Sequence, residues 1–211
     1  MHIVRFLFWQ YHPLLLSLGF AILLVFIRVI AMNTFFYSFL LWNLFLAAVP
    51  YILSQAILFN FHWKTPKVLE YGLWGIWLLL LPNAPYLITD LIHLHNDYSN
   101  WVWFDLFMMF VFASNGVVLF LLSLWDFFTF HEVNNRKHLL VILICFLSGY
   151  GIYTGRFLRF NSWDILLRPK ILFSEIVSSI YHPNTWLMSI AFGLFLLISF
   201  SLFRWSKRSW N

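Results

Sequence analysis

The feature that most constrains this chain is an apolar run over residues 78 to 94, LLLLPNAPYLITDLIHL, that two prolines interrupt. Each proline lacks a backbone N–H and clashes with the preceding turn, so a regular helix cannot pass through Pro82 and Pro85 unmodified. Non-helical backbone at membrane depth persists only where protein or water supplies its hydrogen bonds. The run therefore predicts a membrane helix that is broken at the prolines and faces other protein there.

The composition indicates an integral membrane protein. Of its 211 residues, 62% are hydrophobic and 10% are charged, and the mean hydropathy is +0.81, whereas about a quarter of the residues in soluble domains are charged. A formal net charge of +5 would suggest a nucleic-acid partner in a soluble protein, but here the basic residues flank apolar runs. We expect membrane lipids as partners and no nucleic acid, while protein partners stay unknown.

Apolar runs of about 20 residues, long enough to cross a membrane, set the predicted fold. Six such runs cover about residues 14 to 33, 35 to 58, 68 to 90, 101 to 124, 138 to 157 and 184 to 205. The prediction is an all-α, polytopic transmembrane helix bundle of about six spans, with the third helix broken at Pro82 to Pro85. We expect a single integral membrane domain over residues 1 to 211, and the single Cys145 excludes an intrachain disulfide.

The basic residues also predict the orientation in the membrane. With the N-terminus in the cytoplasm, eight Lys and Arg residues lie inside and five outside; the inner set includes a loop over 125 to 138, which also carries Asp126. The positive-inside rule favours this arrangement, so we predict a multi-pass protein of the cell membrane with both termini cytoplasmic. The loops after the third and fifth spans then lie on the same outer side, where their polar motifs can meet.

The first polar motif begins at the proline break. Asn83 can cap a new helix with Pro85 in its first turn. In such a helix one face would be shared by Tyr86, Asp90, His93 and Asp97. An Asp and a His one turn apart are a common acid/base or metal-ligand pair. We predict Asp90 and His93 as candidate acid/base residues, with Asn83 and Tyr86 in substrate binding.

A metal site is the less favoured interpretation of this motif. His95 adds a second imidazole beside His93, but a structural zinc site needs four protein ligands and a catalytic one needs three. No third clear ligand accompanies the pair. We therefore predict no metal site, and the sequence leaves any cofactor unknown.

The second polar motif is GRFLRFNSWD, over residues 155 to 164. Two small residues, Gly151 before the motif and Gly155 at its start, allow another helix to pack closely. Arg156 and Arg159 follow one turn apart, and the planar guanidinium suits bidentate binding of carboxylate or phosphate. Asn161 and Ser162 would cap a further helix with Asp164 in its first turn. We predict substrate binding by Arg156, Arg159, Asn161 and Asp164.

The sequence leaves two roles open for the arginines of the second motif. They can clamp an anionic headgroup, or they can pair internally with Asp90, Asp105 or Asp164, because a desolvated arginine needs an anion. Arg28, near the end of the first span, is expected to extend to the lipid headgroups. Ser114 and Asn115 are expected to join helices in the fourth span, and residues 165 to 183 to form an amphipathic helix on the outer surface.

At these two motifs the sequence resembles a bacterial integral membrane family known as domain of unknown function 1361. The resemblance spans nearly the whole chain. It implies a compact polytopic protein whose recurrent residues match Pro82, Asn83, Pro85, Tyr86, Thr89, Asp90 and His93, then Gly155, Arg156, Arg159, Asn161, Ser162, Trp163 and Asp164. Where the family's second motif tends to have Trp, this chain has Phe160. The family carries no established activity, so the resemblance implies a site but no function.

Three functions compete for this site. A membrane-embedded hydrolase or transferase would act on a lipid or lipid-linked substrate, with Arg156 and Arg159 holding its phosphate. A transporter or channel would line its binding site with the broken third helix, although no other span shows a matching break. A noncatalytic membrane subunit would use the polar cluster as a staple or docking surface. We favour a site for a polar headgroup, with enzymatic activity left open.

Overall fold

A computed structural model of the protein describes residues 2–60, 66–96, 101–131 and 136–209, with side chains described from residue 11 onward and not at residues 60, 95 and 96. Asp97 and the His95 side chain, both named in the sequence predictions, lie outside the described part. Within these ranges the secondary structure is helical, without a strand. The prediction of an all-α fold is confirmed.

In chain order the helices are α1 (His2–Met32), α2 (Phe39–Asn60), α3 (Lys67–Leu80), α4 (Asn83–Tyr86), α5 (Val102–Phe130), α6 (Lys137–Arg156), α7 (Asp164–Leu167), α8 (Pro169–Ser179) and α9 (Pro183–Ser209). A 3-10 turn at Phe36–Ser38 precedes α2, and a longer 3-10 segment, Leu87–Asn96, follows α4. Among the described residues, six stretches are long and apolar enough to cross a membrane: Tyr11–Met32, Phe36–Phe59, Lys67–Leu94, Val102–Phe130, Lys137–Arg156 and Pro183–Ser209. The predicted polytopic bundle of about six spans is thereby confirmed.

Helix α5 is the most buried of the six candidate spans. Half of its most apolar window is buried, against 22% for α1 and for α9. It packs against α1, α2, α4 and the 3-10 segment, while α6 packs along α9. Helix α5 also runs to Phe130, so the prediction that Asp126 lies in a loop is wrong: its side chain is 6% exposed.

The third span is broken at the prolines, as the sequence predicts. Helix α3 ends at Leu80, Leu81 and Pro82 form a turn, and α4 contributes a single turn before the 3-10 segment begins. Asn83 does not cap α4, since it lies within that helix and its side chain makes no capping bond. Its side-chain amide instead donates a hydrogen bond to Ser162 of the second motif.

The continuation after α4 differs from the predicted α-helix. Residues Leu87–Asn96 form a 3-10 helix, in which side chains three residues apart are aligned. The hydroxyl of Thr89 donates to the carbonyl of Tyr86 three residues back, at 2.7 Å, which matches this tighter winding. The shared face expected from α-helical spacing is therefore wrong, and Tyr86 does not line up with Asp90 along this segment.

Two glycines allow neighbouring helices to approach the break. A Cβ atom on Gly116 of α5 would overlap the carbonyl oxygen of Ala84 and lie 3.0 Å from Cδ1 of Leu87. A Cβ atom on Gly151 of α6 would lie 2.5 Å from Cγ of Pro82. The broken segment is thus held between α5 and α6 at positions where only glycine leaves enough room.

The segment after the second motif forms two helices rather than one. Helix α7 ends at Leu167, and α8 begins with Pro169 at a position where the missing N–H has no helical partner to lose. Near the end of α8, the Ser179 hydroxyl lies 2.9 Å from the hydroxyl of Tyr150 on α6. Helix α8 is thereby fixed beside the end of α6 that carries the second motif.

Candidate functional site

The two polar motifs contact each other through Ser162. Nδ2 of Asn83 donates to the Ser162 hydroxyl at 3.3 Å, and that hydroxyl donates to the carbonyl oxygen of Leu79 at 3.0 Å. Helix α7 begins only at Asp164, without a side-chain cap, so the predicted capping role of Ser162 is wrong. The hydroxyl instead satisfies a carbonyl near the end of α3, which the proline break leaves without a helical partner.

Arg156, the last residue of α6, is the centre of the cluster that the two motifs form. Its Nη2 lies 3.6 Å from Oδ1 of Asp90 and also donates to the backbone carbonyl of Thr89. Its Nη1 lies 3.3 Å from the Tyr86 hydroxyl and 3.4 Å from Nε2 of His93. Three predicted site residues of the first motif therefore meet around one guanidinium of the second.

Asp90 is fixed by a second partner that the sequence predictions did not place in the site. Its side chain is 1% exposed, and Nδ2 of Asn43 on α2 donates to its Oδ2 at 2.8 Å. A buried carboxylate is costly unless charge and hydrogen bonds compensate it. The signal that could have found Asn43 is an isolated amide within an otherwise apolar span.

The guanidinium of Arg156 keeps one donor free. Its Nε is buried and has no hydrogen-bond partner among the described residues, while the side chain as a whole is 16% exposed. A buried N–H without a partner is unfavourable. The cluster around Arg156 is therefore only partly satisfied by the protein itself.

A cavity of about 240 Å³ adjoins this cluster. Its polar lining comprises Asn43, Asn83, Tyr86, Thr154, Asn161 and Ser162. Its apolar lining comprises Leu46, Leu79, Pro82, Phe160, Ile165, Leu172 and Ile176. The cavity therefore offers an occupant both polar groups and hydrocarbon side chains, the latter including residues of α2, α3, α7 and α8.

A second, more open groove lies on the other side of Tyr86. It is lined by Tyr86, Ile92, His93, Gly155, Arg156, Arg159 and Asn161. The cavity and the groove share Tyr86, Gly155 and Asn161. Five of the predicted site residues, Tyr86, His93, Arg156, Arg159 and Asn161, thus line one groove.

Arg159 differs from Arg156 in position and exposure. It lies beyond the end of α6 with a positive φ of 59°, and its side chain is exposed. The two arginines therefore do not share a helical face, and the helical spacing used to predict their joint binding of an anion is wrong. That they bind an anion together stays a prediction. They converge on the groove from a helix end and from the following loop.

Asp164 is held away from the Arg156 cluster. Its Oδ2 accepts the backbone N–H of Asn161 at 2.7 Å, and its Oδ1 lies 2.8 Å from Nη2 of Arg168. The backbone N–H of Asn161 holds the pKa of the Asp164 carboxyl below its usual value, with Arg168 adding to the effect and burial opposing it. Asp164 lines neither the cavity nor the groove, so it positions the loop that carries Asn161.

Arg28 forms a separate, closed pair. Its Nε lies 2.5 Å from Oδ1 of Asp105, and its Nη2 lies 3.0 Å from Oδ2. The side chain of Arg28 is 1% exposed, so the expectation that it extends to the headgroups is wrong. Asp105 on α5 supplies the charge that makes burial possible, and Asp105 is consequently unavailable to the arginines of the second motif.

Ser114 and Asn115 do not join helices. The Ser114 hydroxyl donates to the carbonyl of Phe110 at 2.8 Å, and Nδ2 of Asn115 donates to the carbonyl of Val111 at 2.9 Å. Both acceptors lie four residues back on α5, so these two donors are satisfied within their own helix. Oδ1 of Asn115 is buried and has no hydrogen-bond partner among the described residues. The predicted contact between helices is wrong here.

Comparisons with known proteins agree with this picture of a membrane protein without an assigned activity. No curated protein and no solved structure matches the chain. One family matches, described as "Protein of unknown function (DUF1361)", over residues 42–199. That range is most of the chain and contains both polar motifs together with Asn43. The protein therefore belongs to the DUF1361 family, whose function is unknown.

Proposed function

We propose that the groove and the cavity around Arg156 bind an amphiphile, the anionic headgroup of a membrane lipid or of a lipid-linked molecule with part of its chain. The observation that carries this proposal is the adjacency of the two spaces. A groove with two arginines and a cavity with seven apolar side chains share Tyr86, Gly155 and Asn161. A molecule that is polar at one end and apolar at the other fits this combination.

The charge of the groove supports an anionic ligand. Asp90 partly neutralises Arg156, but Arg159 is exposed and forms no ion pair with any described residue. No carboxylate is present among the described residues that line the groove. Arginine guanidinium groups bind phosphate oxygens through paired hydrogen bonds, and the free Nε of Arg156 adds one more donor.

Binding is better supported than catalysis. Asp90 is 1% exposed, so it has little access to a substrate. Nε2 of His93 lies 3.4 Å from Nη1 of Arg156, and the lone pair of a neutral imidazole is needed there to accept that bond. Acid/base roles for Asp90 and His93 would require an anionic headgroup to draw Arg156 away from both.

The test measures lipid retention by native mass spectrometry after exchange into detergent with phosphatidylglycerol or phosphatidylcholine. The wild-type protein should retain phosphatidylglycerol preferentially, and Arg159→Gln should lose most of that preference. Lys170→Gln is the matched control, because Lys170 is an exposed cation on α8 that lines neither space. Equal retention by Arg159→Gln and Lys170→Gln would contradict the proposal.

The apolar part of the site needs its own variant. Leu172→Trp places a larger side chain in the cavity, whereas Phe173→Trp enlarges a side chain that is 69% exposed on the same helix. Retention of a two-chain lipid should fall for Leu172→Trp and remain for Phe173→Trp. Unchanged retention in both would show that the chain does not enter the cavity.

We place this site on the outer side of the cell membrane, on the charge distribution described above. Asn184 and Ser206 are exposed residues of the same helix, α9, and they lie about 33 Å apart along its axis. In intact cells, Asn184→Cys should react with an impermeant thiol reagent and Ser206→Cys should not. The opposite pattern would place the site in the cytoplasm.

A further inference from the structure

A second buried carboxylate lies at the other end of α5 from Asp105. Asp126 is separated from Asp105 by 21 positions in the sequence, which corresponds to about 31 Å along the helix. Its side chain is 6% exposed. The site proposed above does not use Asp126, so its burial requires an explanation of its own.

Two side chains of α2 donate to the same oxygen of Asp126. The Ser54 hydroxyl lies 2.6 Å from Oδ2, and Nε2 of Gln55 lies 2.7 Å from it. Ser54 has one proton, and the carbonyl of Tyr51 is its more distant acceptor at 2.9 Å. The other oxygen, Oδ1, accepts no hydrogen bond from the described residues.

Further hydrogen-bond donors bind to Ser54 and Gln55, directly or through Ser123. The Tyr11 hydroxyl donates to Oε1 of Gln55 at 2.7 Å. Ser123 donates to the Ser54 hydroxyl at 3.3 Å, and Nε1 of Trp77 donates to Ser123 at 2.7 Å. Both chains of hydrogen bonds therefore run toward Asp126, and four helices contribute to one polar cluster within the bundle.

Within the part of the chain that the structure describes, this cluster contains no positive charge. Among the described residues, none of the Lys, Arg or His side chains forms an ion pair with Asp126. The titratable groups that face it are Tyr11 from α1 and Tyr51 from α2, and α3 contributes only the indole of Trp77. Asp90 and Asp105, by contrast, each contact an arginine.

Elementary electrostatics disfavours a lone carboxylate here. Burial removes its hydration, and the last turn of α5 directs carbonyl groups toward its own end, where a negative charge is unfavourable. The donors on Oδ2 offset part of this cost, but they leave Oδ1 without a partner. A mobile cation bound at Oδ1 would supply the missing charge.

We propose that Asp126 is the binding site of a monovalent cation, a proton or Na⁺, within the bundle. A proton would attach to Oδ1 directly. Na⁺ would need several oxygen ligands, and the hydroxyl oxygens of Ser54 and Ser123 and Oε1 of Gln55 belong to the same cluster. Both cations neutralise the carboxylate, and the experiment below distinguishes them.

The first measurement is the modification of Asp126 by dicyclohexylcarbodiimide, which reacts with protonated carboxyl groups, followed by peptide mass spectrometry. The wild-type protein in detergent should be modified at Asp126, and faster as the pH falls. If the ligand is Na⁺, adding Na⁺ in place of K⁺ at constant pH should slow the modification severalfold. If the ligand is a proton alone, the two salts should give the same rate.

The second measurement compares the melting temperature of wild type with that of Asp126→Asn, which keeps the shape but cannot ionise. As the pH rises, the wild type should lose stability relative to the variant, since its bound proton dissociates. Added Na⁺ should restore that loss only if Na⁺ binds. A difference in melting temperature that stays constant across pH and Na⁺ concentration would overturn the proposal. It would show that the hydrogen bonds from Ser54 and Gln55 are enough to stabilise a permanently ionised carboxylate.

Discussion

Arg28 and Arg156 each contact a buried aspartate, but the two contacts differ in closeness and surroundings. Arg28 and Asp105 approach to 2.5 Å, and neither side chain is more than 2% exposed. Arg156 and Asp90 approach only to 3.6 Å, with the Arg156 side chain 16% exposed beside a groove and a cavity. In the first pair the two charges compensate each other. In the second pair Arg156 retains hydrogen-bonding capacity for a ligand.

This difference separates a structural role from a binding role. A close, two-point arginine–carboxylate pair has its preferred geometry already, and breaking it leaves an uncompensated buried charge. A looser pair can exchange one anion for another at smaller cost. The predictions below first test the Arg28–Asp105 pair, called the closed pair, and then the Arg156–Asp90 pair, called the open pair.

The largest effect is expected at the closed pair. Arg28→Met leaves Asp105 buried without this arginine and should reduce the free energy of unfolding by about 3–5 kcal/mol. Thermal unfolding in detergent, followed by size-exclusion chromatography, measures the loss. The double variant Arg28→Met with Asp105→Leu removes both charges and should recover most of the stability. A single variant as stable as wild type would show that the pair is not structural.

The next largest effect is expected where α6, which carries Arg156 of the open pair, packs against the proline break. The Cβ added by Gly151→Ala lies 2.5 Å from Cγ of Pro82, and the rigid ring cannot turn aside, so we expect a loss of about 1–3 kcal/mol. Gly75→Ala on α3 is the matched control, because its added Cβ meets nothing within 4 Å. Equal melting temperatures for the two variants would refute the close packing of α6 on the proline break.

A smaller effect on stability is expected from Asp90→Asn. The variant keeps a polar side chain opposite Asn43 but removes the charge facing Arg156. We expect it to lower the melting temperature less than Asp105→Asn does, and to retain more phosphatidylglycerol than wild type because Arg156 is no longer partly neutralised. A larger loss of stability than in Asp105→Asn would assign the structural role to the open pair instead.

The smallest effect concerns Asp164, which positions the loop between the two motif arginines and α8. Because its pKa is lowered in the folded protein, its carboxylate adds stability above the pKa of the unfolded chain, and this stability is lost as the pH falls through the folded pKa. Asp164→Asn should therefore lower the melting temperature at neutral pH and have little effect in acid. A difference in melting temperature between wild type and Asp164→Asn that does not change with pH would show that the charge of Asp164 is not what stabilises the loop.

The sequence predicted the features that depend on local chemistry. Six spans follow from runs of apolar residues, and the break follows from Pro82 and Pro85, because a proline acts on its own turn. The meeting of the two motifs followed from counting spans. The pairing of Arg156 with Asp90 was one of the alternatives that the sequence left open. Two other distant pairs were not predicted: Arg28 lies 77 positions from Asp105, and Asn43 lies 47 positions from Asp90.

The local winding after the break was also missed, for a different reason. The α-helical and 3-10 conformations differ by one residue in hydrogen-bond spacing, and Leu87–Asn96 carries no residue that excludes either. The packing against Gly116 of α5 comes from the tertiary structure and has no counterpart in the local sequence. Site geometry built on periodicity therefore failed, although Tyr86, Asp90 and His93 do meet around Arg156.

The central claim is that the open pair, Arg156 and Asp90, binds a ligand. Its most direct test compares the change in melting temperature that phosphatidylglycerol causes in wild type with the change that it causes in Arg156→Lys. A ligand that binds only the folded protein raises its melting temperature. Lysine keeps the charge but not the planar fork, so the variant should melt near the wild-type temperature without lipid and gain much less from it. An Arg156→Lys protein that melts as low as Arg156→Ala, yet gains as much from phosphatidylglycerol as wild type, would contradict the proposal.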